Sequence, residues 1–132
     1  MAKRKIFFSY SSDDRAFADE LRHAVTTGRD VQVWDAASTV TPGHASDELI
    51  SENLSSSDLF VYIVPEREGA GKLSLIELGA AKALGKRIVA VLPNSARVAN
   101  SAVAAKLADT LVVNQDRGST QDIATTILEK AA

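Results

Sequence analysis

Cysteine is absent from this chain, which excludes disulfides and thiolate chemistry and suits a reducing compartment. Long hydrophobic runs are missing too. The longest uninterrupted apolar stretch covers residues 59–64, far short of the roughly 20 residues that cross a membrane as a helix. The apolar stretch behind the basic residues Lys3, Arg4 and Lys5 stops at Phe8, too early for a secretory signal. Neither charge is in excess, since 15 Lys and Arg stand against 17 Asp and Glu. That balance leaves no electrostatic footprint for a nucleic acid or an anionic membrane, and the expected compartment is cytoplasmic. Histidine is scarce: His23 falls in a helical pattern and His44 in a loop. Neither has a second histidine at ligand spacing, so no metal site is expected.

What is present reads as one ordinary globular domain over residues 1–132, 45% hydrophobic and 24% charged. Two patterns alternate along it. Short apolar runs at 6–8, 31–34, 59–64, 87–92 and 110–113 read as strands. The run at 59–64 is apolar on both faces, as a central parallel strand must be. Between the strands, apolar residues recur at helical spacing: Phe17, Leu21, Ala24 and Val25, then Leu49, Ile50 and Leu54, then residues 75–84. Val103, Leu107 and Ala108 suggest a short helix, and Ile123, Ile127 and Leu128 a closing one behind a Ser119 or Thr120 cap. Ser11 or Ser12 is expected to cap the first helix, with Gly28 ending it and Gly85 ending the third. Five strands alternating with helices predict an α/β fold. The expected form is a flavodoxin-like three-layer sandwich, its five-stranded parallel sheet in the order 2-1-3-4-5 with helices on both faces.

Ligands bind such a sheet outside the carboxyl ends of strands 1 and 3, where the winding reverses. The loops there are residues 9–14 and 65–72. Just past the second loop lies "LSLIELGAAKALGKRIVAVLP", residues 73–93, whose one acidic residue is Glu77. Two readings of Glu77 are open: a solvated first-turn glutamate complementing the helix dipole, or a carboxylate projecting into a pocket. Familiar occupants of this architecture fail against the same loops. No Gly-rich segment with a Lys-Ser/Thr pair makes a P-loop, and the turn after strand 1 has no glycine for a dinucleotide fingerprint. Asp13 and Asp14 would repel a flavodoxin-type phosphate. A phosphoacceptor receiver needs an Asp ending strand 3 and a Lys after strand 4, where this chain has Pro65 and Pro93-Asn94.

Three stretches together resemble the TIR (Toll/interleukin-1 receptor) domains of the bacterial kind. "KIFFSYSSDD" is similar to the family's first strand and its Ser-Tyr-Ser box. "VQVWDAASTVTPGHASDELISENLSSSDLFVYIV" resembles its second strand, its Pro-Gly loop and the helix leading into strand 3. The stretch at 73–93 looks like its Glu-Leu-Gly-Ala-Ala helix and Gly-Lys strand. The resemblance runs from about Lys5 to Pro93. It implies cleavage of NAD at the nicotinamide–ribose bond, with NAD as substrate and no separate cofactor, and with Glu77 in the place of the family's essential glutamate. The chemistry is intelligible: the bond breaks through an oxocarbenium-like state, which a nearby carboxylate stabilises. Water as the attacking group gives ADP-ribose, and a group of the substrate itself gives a cyclic isomer.

The other candidate substrate contacts are Phe8, Ser9, Tyr10, Ser11, Asp35, Leu73 and Ser74. For Ser11 the alternative is a helix cap, for Phe8 core packing, and for Asp35 local hydrogen bonds that fix the following loop. Trp34 reads as packing rather than stacking, and Arg67 and Lys72 as surface charge rather than pyrophosphate ligands. The chain departs from the family pattern at Leu73, where Trp is common, and at Ser74, where Cys is frequent. By resemblance the loop Ser38, Thr39, Val40, Thr41, Pro42 and Gly43 is a self-association surface, which makes a homo-oligomer the expected state. Another TIR protein or a downstream effector is a further possible partner, and a signal in bacterial antiphage defence is the implied setting. Two rival readings stand beside this one: a non-catalytic TIR interaction module, and a nucleoside deoxyribosyltransferase-like enzyme, which also joins a Glu to a Gly-Ala helix.

Overall fold

Every side chain of the strand Leu59–Ile63 is buried, and this strand is the middle of the sheet. In the computed structural model, residues 4–10, 14–27, 30–35, 46–64, 72–92, 111–114 and 120–131 are described. The strands are β1 (Arg4–Ser9), β2 (Val31–Trp34), β3 (Leu59–Ile63), β4 (Ile88–Leu92) and β5 (Leu111–Asn114). They lie in the order β2-β1-β3-β4-β5, and each neighbouring pair is parallel. The helices are α1 (Arg15–Thr26), α2 (Ser46–Ser56), α3 (Lys72–Ala83) and α4 (Thr120–Ala131). This is the α/β class that the alternating pattern predicts.

Strand alternation divides the core in two. Ile6 and Phe8 of β1 join Val61, Ile63, Val89 and Val91 under α1 and α4, which supply Leu21, Val25, Ile123 and Ile127. Phe7 faces the other way, into a second cluster with Trp34, Phe60, Tyr62, Leu54 of α2 and Leu78 of α3. There the Phe7 ring lies 4.9 Å from Trp34 and 5.4 Å from Phe60, centroid to centroid. Trp34 is therefore a core residue.

The helix ends differ from expectation in informative ways. The N-cap position of α1 is Asp14, which makes no side-chain capping bond, so the helix begins later than a Ser11 or Ser12 cap requires; those two serines lie outside the described residues. Its other end closes on Thr27, whose N–H and Oγ1 both donate to the His23 carbonyl, at 3.0 and 2.6 Å; Gly28 lies outside the described residues. The closing helix begins at Thr120, whose hydroxyl donates to Glu20 of α1 at 2.9 Å. Gly85 ends α3 as expected. It adopts φ +69°, donates to the Lys82 carbonyl at 3.1 Å, and lets Lys86 N–H reach the Ala81 carbonyl at 3.0 Å. That pair of bonds is a Schellman closure, which requires a left-handed residue at the turn. The start of α3 is the larger correction. It lies at Lys72 rather than residue 75, because Lys72, Leu73 and Ser74 continue the helix backward.

At the amino end of the sheet two lysines secure α2. Lys86 Nζ donates to the carbonyls of Ser55 and Ser57, at 2.6 and 2.9 Å, where the helix has carbonyls without partners. Lys5 Nζ donates to Asn53 and Ser56 at 2.5 and 2.7 Å.

Candidate active site

Ser9 closes β1 and lies in register with Tyr62 of the neighbouring β3. Strand alternation puts it on the same face as Phe7, toward α3. From α3, Glu77 reaches the same point. The Ser9 hydroxyl donates to Glu77 Oε1 at 2.6 Å, in a buried bond between residues 68 apart in sequence. Ser9 is 1% and Glu77 5% exposed. The site thus sits at the carboxyl end of β1, beside β3, where an open parallel sheet places its ligands.

The burial excludes the reading of Glu77 as a solvated first-turn glutamate. With α3 beginning at Lys72, Glu77 is past the first turn, where the helix dipole rewards an acid, and it is not solvated. Its second oxygen, Oε2, is buried without a hydrogen-bond partner among the described residues. Burial raises its pKa from 4.5 to about 7, and the Ser9 hydroxyl opposes part of that rise. A carboxyl that titrates near neutrality can be charged or neutral at little cost, which suits either electrostatic stabilisation or proton transfer.

The remaining candidates fall into three groups. Phe8 points away from Glu77, into the cluster under α1 and α4, and Tyr10 packs against that same cluster. The contiguous box therefore splits across the sheet. Asp35, at the end of β2, is 1% exposed and forms an ion pair with Arg22 of α1. Its carboxylate is thus held by the fold on the side of Val33, away from Glu77. Leu73 lies on α3 one helical turn before Glu77, with Ser74 beside it. Ser11 and the loop residues 38–43 lie outside the described residues. Among the described residues, no group of three or more His, Asp or Glu is placed to hold a metal ion, and no helix is long and apolar enough to cross a membrane.

Sequence reasoning did not single out Arg22 or Tyr62. Tyr62 was legible in principle, because it pairs with Ser9 once β1 and β3 are neighbours. Arg22 carries no local signal, since its partner is reached only after α1 folds onto β2.

The fold has counterparts among solved structures. The chain resembles a CMP N-glycosidase of Clostridium botulinum, BcmB, with TM-score 0.63 and 14% identity, covering 93% of this chain and 97% of that one. It resembles the TIR domains of the activated Roq1 resistosome recognising the effector XopQ, with TM-score 0.57 and 13% identity, over 96% of this chain and 71% of that one. A signal receiver domain of a LuxO repressor protein from Vibrio parahaemolyticus matches at TM-score 0.56 and 11% identity, over 99% and 91%. At such identities these likenesses show the fold alone. No curated protein matches the chain in sequence. The family model described as TIR domain matches residues 6–126, which takes in Ser9, Glu77 and every strand from β2 to β5. The chain belongs to the TIR-domain family.

Proposed function

We propose that this TIR domain cleaves the nicotinamide–ribose bond of NAD, with Glu77 as the catalytic carboxylate. The observation that carries the reading is the buried Ser9–Glu77 pair at the carboxyl end of β1. Family membership and the fold shared with a nucleotide N-glycosidase support it, since the NAD bond is also N-glycosidic.

The residues suggest the following course. NAD binds with the nicotinamide ribose against Glu77. As the bond to the pyridine nitrogen lengthens, positive charge grows on the ribose ring, and nicotinamide leaves with the bonding electron pair. Ionised Glu77, in a site of low polarity, stabilises that charge more than the same carboxylate would in water. Water then gives ADP-ribose, or the adenine of the same molecule gives a cyclic isomer. Self-association accompanies activity, in keeping with the fold shared with the TIR domains of an activated resistosome, and residues 38–43 are its proposed surface. A product of this kind suits a signal in antiphage defence, acting on another TIR protein or a downstream effector.

The burial weighs against a non-catalytic interaction module. Holding Glu77 ionised in this site costs about 3 kcal/mol relative to water, from the rise in its pKa. An interaction surface gains nothing from that. A second reading, hydrolysis of a pyrimidine nucleotide or transfer of a deoxyribosyl group, is favoured by the likeness to the CMP enzyme. Incubation of concentrated protein with NAD, CMP and a deoxynucleoside, followed by chromatography, separates the cases. Nicotinamide release supports the NAD assignment, free base from CMP or the deoxynucleoside supports the second reading, and no turnover removes both.

A further inference from the structure

The hydroxyl of Ser9 and the two oxygens of Glu77 are arranged unequally. Oε1 accepts a short bond from Ser9 at 2.6 Å, while Oε2 is buried with no partner among the described residues. Ser9 is fixed in turn by its place in β1, at the position paired with Tyr62. A strand residue holding a helix residue sets the carboxylate plane more firmly than either element does alone.

We propose that Ser9 is a positioning residue for Glu77: its hydroxyl holds Oε1, so that Oε2 is the oxygen presented to the ribose, and it favours the ionised carboxylate. This rests on the catalytic reading of Glu77 given above. A donor to the charged form stabilises that form over the neutral one. Without the hydroxyl, burial acts on the carboxyl unopposed.

Among the described residues, charged neighbours do not account for the same effect. On the elements packed against α3, Lys5 occupies the far end of β1, bound to Asn53 and Ser56. Tyr62 is the titratable residue of β3. On α3 itself Lys82 is in the last turn and exposed, and Arg87, before β4, donates to the Lys130 carbonyl. Among the described residues, the influences on Glu77 are its burial and the Ser9 hydroxyl.

The test is a carboxyl-carbon NMR titration of glutamate-labelled protein, with the Glu77 signal assigned by its loss in Glu77→Gln. Ser9→Ala should move the Glu77 midpoint upward by about one pH unit, the worth of one such hydrogen bond. Ser9→Cys, whose thiol is a weak donor, should move it the same way and serves if the alanine variant does not fold. The acidic limb of NAD cleavage should shift by the same amount, so that the loss in kcat/KM is roughly tenfold greater below neutrality than on the alkaline plateau. A purely structural role would lower the rate by the same factor at every pH and leave the limb in place. An unmoved midpoint overturns the proposal whether or not NAD is cleaved. A moved midpoint without turnover supports Ser9 as the group that sets Glu77 and removes only the substrate assignment.

Discussion

Replacing Glu77 with glutamine tests whether the carboxyl is as deeply buried as the structure places it. Its folded pKa of about 7 lies above the ordinary 4.5, so the fold prefers the neutral form. The stability that protonation contributes is fully present below pH 4.5 and is lost as pH rises through 7. Across that window the wild type should lose about 3 kcal/mol from this one group. Glutamine has no such titration and keeps a carbonyl oxygen to accept from Ser9. Any fixed cost of its buried amide is the same at all pH and cancels in the comparison. For a chain of this length 1 kcal/mol corresponds to roughly 3–4 °C. The melting temperature of Glu77→Gln relative to wild type should therefore rise by roughly 10 °C between pH 5 and pH 8.5. Circular dichroism melts of both proteins in buffers of matched ionic strength measure this directly. Parallel profiles would mean that water reaches the carboxyl, and the argument from burial would fail. The same variant should release no nicotinamide from NAD, and turnover equal to wild type would remove the catalytic assignment.

Arg22→Ala removes an ion-pair partner from the buried Asp35 and should cost about 3 kcal/mol in denaturant unfolding; Arg22→Met with Asp35→Leu should recover most of it. Gly85→Ala meets no atom within 4 Å, so its cost is the left-handed backbone alone, about 1 kcal/mol or a fall of roughly 4 °C. Leu73→Trp, one turn before Glu77, should raise NAD turnover roughly tenfold by stacking on a flat ring; a destabilised protein with unimproved turnover would place Leu73 in the core instead. Turnover per molecule should rise with protein concentration, and a bulky charged residue at Pro42 or Gly43 should suppress both turnover and assembly in sedimentation, an expectation that full activity at high dilution would contradict.

The sequence made some of this legible and concealed the rest for physical reasons. The continuous apolar run at 59–64 and the period-3.6 patterns between the strands report which residues are buried, so β3 and the class of fold are legible. Glu77 stood out because an acid among Leu75, Ile76, Leu78 and the alanines violates the local pattern. Phe8 and Ser9 are adjacent in one sequence box, yet adjacency in a strand means opposite faces, which is why core packing stands as the alternative for Phe8. The partnership of Arg22 with Asp35 is not legible, because both residues are ordinary surface types until α1 packs beside β2. The start of α3 is not legible, because Lys72 closes a charged stretch with two glycines, and such composition marks a loop whose last residues still belong to the helix.

The alternation of β1 has a consequence for how this domain can fail. Shifting β1 by a single residue would send Phe8 toward Glu77 and Ser9 into the apolar layer beneath α1 and α4. The shift would bury a lone hydroxyl among hydrocarbons while it dismantled the Ser9–Glu77 pair. Threading errors in this strand are therefore self-reporting, because a chain that loses its chemistry through slippage loses its cohesion at once. A cell carrying this protein would meet such a copy as unfolded chain, open to proteolysis.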